Sequence, residues 1–244
     1  MMLETFAWRD IGSDQQARLL ERPAQRTDAS IRDRVGHILD HVRTTGDSAV
    51  RALTAEIDGV DIAVSSVAEA EFAAAAAELS AAAIEAIDLA IANVRRIHEQ
   101  QLPQDIAIET MPGMLCERIS HPLDSVGLYV PAGTAPLPSA AIMLAVPAAI
   151  AGCPVRVLCT PPRPDGTADP AVLVAASRAG ITDVFKIGGA QAVAAMAYGT
   201  ESVPKVRKIF GPGNAWVTCA KTLVSAHPPG AAIDLPAGPS EVLV

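Results

Sequence analysis

The residues of this sequence with useful chemistry gather in four short turns. The first is Gly127-Leu128-Tyr129-Val130-Pro131-Ala132-Gly133-Thr134-Ala135-Pro136-Leu137-Pro138-Ser139, between a β-rich run and a helical one. Its prolines stiffen the backbone, and Gly133 permits a φ that other residues avoid. Tyr129 closes the β-run, where its ring can stack on a flat ligand; the alternative is a rigid βα connection with Tyr129 as a half-buried core residue. Ser139 can cap the helix that follows. The second turn is Lys186-Ile187-Gly188-Gly189-Ala190-Gln191-Ala192. Paired glycines ahead of a helix let backbone approach a ligand, and Gln191 offers both a donor and an acceptor. The alternative is a tight turn with a solvated glutamine.

The third turn, Phe210-Gly211-Pro212-Gly213-Asn214, opens a helix containing Trp216. It begins like GxGxxG, but Trp216 stands where the last glycine belongs, so the dinucleotide fingerprint is absent. Asn214 suits a helix N-cap and equally suits a hydrogen bond to a ligand over the helix start. The fourth turn is Asp234-Leu235-Pro236-Ala237-Gly238-Pro239-Ser240-Glu241. Two prolines and a glycine hold Ser240 ahead of a β-run. No helix follows, so this is not a nucleophile elbow, and no histidine is placed in sequence to activate Ser240. Its expected role is hydrogen bonding.

Metal chemistry finds little support. His37 and His41 stand four apart on one helix, but the intervening Ile38-Leu39-Asp40 lacks the glutamate of HExxH. His98, His121 and His227 have no Cys, His or carboxylate cluster beside them. The four cysteines, Cys116, Cys153, Cys159 and Cys219, make no CxxC pair and are expected as partly buried small hydrophobes.

The elements that must position these turns fall into two patterns. Residues 1–28 read as an arm with weak periodicity and isolated apolar residues, Phe6, Trp8, Leu19 and Leu20. From 29 to 58 apolar residues recur at helical spacing, through Ile31, Val35, Ile38, Leu39 and Val42, with Asp28 or Ser30 as cap and Gly46-Asp47 as an interruption. Further helices are predicted over Val64–Leu79, with Ser66 near its start, and over Ser80–Gln100. Strand candidates follow at Ile106–Thr110 and Leu115–Ser120. From Ser125 short β-rich runs alternate with helices: 126–130, 155–159, 183–187 and 206–210, each followed by a helical segment. That alternation predicts βαβ crossovers and a parallel sheet, and ligands of such sheets sit at the carboxyl ends of the strands, where these turns lie.

Composition excludes some classes. With 50% hydrophobic but only 3% aromatic residues, Ala, Val, Ile and Leu must build the core. A net charge of −8 with no basic run argues against a nucleic-acid partner. The N-terminus has no continuous apolar region of a secretory signal. The most apolar stretch, 140–151, is interrupted by Pro147 and too short for a bilayer. A soluble, cytoplasmic protein without membrane contact is expected.

Taken in order, GLYVPAGTAPLPS, AGCPVRVLCTPP, KIGGAQAVAAMAYGTESVPKVRKIFGPGNAWVT and AIDLPAGPSEVLV resemble the histidinol dehydrogenase family. The resemblance implies an NAD- and zinc-dependent homodimer that oxidises L-histidinol through L-histidinal to L-histidine. It implies an α/β fold: a helical N-terminal region, then a Rossmann-like parallel βαβ lobe lacking the GxGxxG fingerprint. By motif position, Tyr129, Gln191 and Asn214 would contact NAD and Ser240 the substrate. Two small departures are Ala132 for a usual glycine and Trp216 for a usual tyrosine. A larger one is that the family's zinc ligands and its Glu–His acid–base pair match no position among the 244 residues.

The expected organisation is an arm (1–28), an incomplete, mainly helical first lobe (29–124), a Rossmann-like NAD-binding lobe (125–238), and the start of a strand returning to the first lobe (239–244). A chain that stops within a strand reads as truncated, without catalytic or metal-binding residues of its own. Two alternatives remain at this point: another Rossmann-like oxidoreductase with convergent turns, or a non-catalytic chain that binds a ligand or an intact subunit.

Overall fold

The helical spacing of apolar residues between 29 and 100 is realised, and the helices it forms bury their faces against those that flank the later sheet. The computed structural model describes residues 5–20, 29–132 and 135–235. A single 3-10 turn (Trp8–Asp10) and α1 (Ser13–Leu20) bury no residue, and Phe6, Trp8, Leu19 and Leu20 are all exposed. Next come α2 (Ala29–Thr45) and α3 (Asp47–Leu53), which runs on into a π-helical turn over Thr54–Asp58. Asp28, one of the two expected caps of α2, lies outside the described residues, and Ser30 lies inside the helix rather than ahead of it. The expected break at Gly46-Asp47 is present and is held from far along the chain. The Asp47 N–H donates to the Glu201 carboxylate at 2.7 Å, and the Ser202 hydroxyl donates to Asp47 at 2.9 Å.

The helix expected over Val64–Leu79 is shorter. As α4 it spans Glu69–Glu78, and Ser66 lies in extended backbone before it. The N–H of Lys186 donates to the Ser65 carbonyl at 2.7 Å, and the N–H of Val67 donates to the Val184 carbonyl at 2.9 Å. Residues 65–67 thus satisfy the open edge of the sheet, an outcome that local helix preference does not anticipate. Helix α5 (Ala81–Glu99) forms where expected and is capped by Ser80, whose Oγ accepts from the Ala83 N–H at 3.2 Å. Ile87 and Ile91 are its buried residues.

An antiparallel hairpin follows, β1 (Ile106–Met111) and β2 (Met114–Arg118), exposed along its whole length. Cys116 is therefore exposed, against expectation, because the hairpin packs on no core; the other three cysteines are buried.

From Ser125 the alternating pattern becomes a five-stranded sheet: β3 (Ser125–Tyr129), α6 (Pro138–Ile150), β4 (Val155–Thr160), α7 (Pro170–Arg178), β5 (Asp183–Lys186), α8 (Gly189–Tyr198), β6 (Lys208–Phe210), α9 (Ala215–Ala226) and β7 (Ala232–Ile233). The strand order is β5-β4-β3-β6-β7, and every pairing is parallel. The order reverses between β3 and β6, which makes a doubly wound sheet with its switch point there. The helix cap expected at Ser139 is not made. Pro138 occupies the first helical turn and Leu137 precedes it, so Ser139 lies inside α6.

Both faces of the sheet are buried, and side chains alternate between them. Tyr129 of β3, Val157 and Cys159 of β4, and Ile209 of β6 point to the side of α8 and α9. Val126, Leu128, Leu158 and Val184 point to the side of α6 and α7. The early helices divide between these layers. Val35, Ile38, Leu39 and Val42 of α2 join the first core, while Ala75, Ile87 and Ile91 of α4 and α5 join the second. One ion pair ties α4 to the sheet. Lys186 Nζ lies 2.9 Å from Glu71, with side chains 12% and 17% exposed, and the other Glu71 oxygen accepts the Ala168 N–H at 2.8 Å. Glu71→Ala would leave Lys186 without its counter-charge, and equilibrium urea denaturation should show a loss of about 3 kcal/mol. An unchanged midpoint would mean that the pair contributes nothing.

Candidate functional site

Three of the four turns meet at the carboxyl edge of the sheet because β3, β4, β5 and β6 are parallel and all end there. They surround a pocket of about 720 Å³ beside the switch point, within the range of about 300–1,000 Å³ common to small-molecule sites. Tyr129 ends β3 and Pro131 follows it, Pro161 follows β4, Gly189 to Gln191 follow β5, and Pro212 to Asn214 follow β6. The opposite wall comes from the early helices, through Arg34, Ile38, Ile57 and Asp58.

Tyr129 is only 4% exposed. It is more deeply buried than a half-buried strand end, and it lines the pocket. Its hydroxyl oxygen accepts the Gly189 N–H at 3.0 Å, which joins the end of β3 to the first turn of α8. Burial is the main cause that raises the phenol to about 12; the Gly189 bond opposes it, and the nearby Asp58 charge adds to it.

Gln191 is fully buried, so it is not the solvated turn residue that the sequence allowed. Its Nε2 donates to the Asp58 carboxylate at 3.2 Å, while its Oε1 has no hydrogen-bond partner. A buried amide oxygen without a donor costs about 1–3 kcal/mol, so this atom suits a ligand that brings one. Gly189 has φ +57, and a Cβ there would lie 2.7 Å from that same oxygen. The bare glycine is what leaves room for the glutamine head. Burial also raises the Asp58 carboxyl above the usual range.

Asn214 caps α9, its Oδ1 accepting from the N–H groups of Trp216 and Val217 at 3.1 Å each. The cap uses the amide oxygen, and Asn214 is itself a lining residue of the pocket. Trp216 lines the pocket with Arg34 over its ring, 5.7 Å from the centroid, and Arg34 also pairs with Glu56 at 3.3 Å.

The pocket thus gathers Tyr129, Gln191 and Asn214 on one edge of one sheet. Ser240 and the expected strand 239–244 lie outside the described residues, as do Gly133 and residues 21–28 of the arm. Sequence reasoning missed Asp58, Arg34 and Trp216 as pocket residues. Asp58 had only one signal, a carboxylate at the end of a helical run just before Gly59. His37 and His41 are exposed on α2, and among the described residues no three His, Cys, Asp or Glu side chains are grouped to hold a metal. The described residues therefore do not fit a zinc ion. Among them, too, no helix is long and apolar enough to cross a membrane.

A parallel, doubly wound sheet with its pocket at the switch point, built without the glycine fingerprint, defines a Rossmann-like α/β protein. The family model of histidinol dehydrogenase matches residues 20–244. The chain is 54% identical over 242 residues to the histidinol dehydrogenase of Xanthomonas axonopodis pv. citri (strain 306), covering 99% of this chain and 56% of that protein. It is 50% identical to that of Vibrio parahaemolyticus, covering 99% and 55%. The crystal structure of histidinol dehydrogenase from Elizabethkingia anophelis superposes with a TM-score of 0.86 at 38% identity, covering 94% of this chain and 52% of that one. The chain belongs to the histidinol dehydrogenase family, and it spans about half the length of the curated relatives it matches.

The raised phenol predicts a pH dependence. The folded chain holds the Tyr129 proton more tightly than the unfolded chain does, so the stabilisation is complete below the ordinary value of 10.0 and is lost as pH rises through about 12. Across that window the wild-type chain should lose about 2–3 kcal/mol relative to Tyr129→Phe. Denaturant midpoints of the two chains, measured at each pH, give the difference. Parallel curves would show that the phenol does not titrate differently on folding.

Proposed function

We propose that the pocket at the switch point binds NAD and that the chain serves the family reaction, the NAD-dependent oxidation of L-histidinol through L-histidinal to L-histidine. The observation that carries this reading is the buried Gln191 amide, held by Asp58 on one side and left without a donor on the other, in a pocket where three βα turns converge. When bound, NAD would supply the hydride acceptor. Gln191 Oε1 would take a hydrogen bond from the cofactor. The Asn214 amide nitrogen would give one at the N-terminus of α9, where the helix dipole favours anionic groups. Tyr129, fixed by Gly189, would hold its hydroxyl at the pocket and keep the turns in register. Ser240 is assigned to the substrate from its motif alone.

The resemblance assigns the zinc ligands and the acid–base Glu–His pair to positions that none of these residues matches. The chain by itself is therefore read as a cofactor-binding half that does not turn over substrate. Its division into an arm (1–28), a first lobe (29–124), an NAD-binding lobe (125–238) and a returning strand (239–244) is proposed on the same basis. So are a homodimeric state and a cytoplasmic location, the exposed Phe6, Trp8, Leu19 and Leu20 being suited to a subunit contact.

Titration of the purified chain with NAD should give saturable binding, and Gln191→Leu should weaken it about tenfold, the value of one good hydrogen bond. No NADH should form from L-histidinol with or without added zinc. Absent NAD binding, or equal affinity in the variant, would remove the pocket assignment; turnover by the chain alone would show that it holds the catalytic groups.

A further inference from the structure

Behind the pocket, on the far side of the Gly211-Pro212-Gly213 turn, a lysine and an aspartate are paired inside the protein. The Lys221 side chain, on α9, is 6% exposed, and that of Asp234, just after β7, is 28% exposed. Lys221 Nζ donates to Asp234 Oδ1 and, at 2.8 Å, to the carbonyl of Gly211. Asp234 Oδ2 accepts the N–H of the same glycine at 2.9 Å. The two charges therefore clamp both polar atoms of a single residue. Gly211 has φ +128, and a Cβ on it would lie 2.2 Å from the carbonyl oxygen of Tyr129. The paired register of β3 and β6 ends one residue earlier, at Leu128 and Phe210, so the clamp holds the first peptide beyond the ladder.

A buried ion pair adds little to stability compared with apolar residues of the same volume, so its geometry asks for another reason. Tyr129 ends β3 and Asn214 opens α9, on the two sides of the switch point, and Gly211 is the point of contact between them. We infer that Lys221 and Asp234 are positioning residues, which fix the Gly211 peptide and so set the spacing between Tyr129 and Asn214 across the pocket. The inference rests on the reading of that pocket as the NAD site.

The test separates positioning from stability. Lys221→Met strands the Asp234 charge and should lower both melting temperature and NAD affinity. The double variant Lys221→Met/Asp234→Leu removes both charges and should recover most of the melting temperature. Its NAD affinity should nonetheless stay at least about tenfold below wild type, because a small misplacement of binding groups is costly. Affinity that returns together with stability would make the pair merely structural and overturn the inference. Amide exchange of Asp234→Asn supplies a readout independent of cofactor. Faster exchange at the Gly211 N–H, with α9 unchanged, is expected, and undiminished protection at Gly211 would overturn the inference. If the wild-type chain does not bind NAD, the pocket assignment fails by itself, while the exchange result still decides whether the clamp sets the turn.

Discussion

Where β3 and β6 run side by side, the backbone of Gly211 lies against the carbonyl of Tyr129, and no side chain fits between them. The two strands then part. After Tyr129 the chain leads to α6 on one face, and after Phe210 it leads to α9 on the other. A crevice must open at the carboxyl ends of two parallel strands whose connections leave in opposite directions. The pocket is thus a consequence of topology.

The sheet itself offers that crevice very little polarity. Its strands are buried on both faces by Val, Leu, Ile and Ala, so the polar groups of this region collect at the strand ends. Each is anchored by a partner from elsewhere: Lys186 by Glu71 of α4, Gln191 by Asp58 after α3, Gly211 by Lys221 and Asp234. Pairing across elements satisfies groups that would otherwise be buried alone. It also makes the geometry of the edge depend on helices far away in sequence. Gln191 shows the limit of that satisfaction. Asp58 can accept from its amide nitrogen, but nothing donates to its oxygen.

Much of this was legible in the sequence. The alternation after Ser125 specified strands β3 to β6, the helices and their parallel sense, since runs such as 155–159 and 183–187 are short, β-rich and followed by helical segments; β7 was not among the runs it marked. Asn214 was a recognisable cap because capping is a local interaction. Most of the failures were non-local. Ser66 reads as a helix start, yet the open edge of β5 draws residues 65–67 into extended pairing. Ser139 reads as a cap, yet Pro138 already occupies the start of α6. Cys116 reads as a partly buried thiol, yet its hairpin meets no core. At the pocket the three turn residues were visible because glycines mark them. Asp58, Arg34 and Trp216 were not, since no local pattern shows that the helix run ending at Asp58 folds over the strand ends.

That last placement explains why the early helices are broken where they are. A straight helix from 29 to 58 would be about 45 Å long, at about 1.5 Å per residue, and would carry Asp58 far past the sheet edge. The break at Gly46-Asp47 turns the chain back, and Glu201 and Ser202, in the loop after α8, hold the turn. Val35, Ile38, Leu39 and Val42 fix α2 on one side of the break, and Ala49, Val50 and Leu53 fix α3 on the other, all within the core that also contains Tyr129 and the buried face of α8. Arg34 and Ile38 from the first limb and Ile57 and Asp58 from the second then face the same pocket. The loop that follows α8 thus orients the helices that supply the partner of Gln191, a residue in the first turn of that same α8. The pocket's two walls are coupled through one helix, by its leading end directly and by its trailing loop through the break.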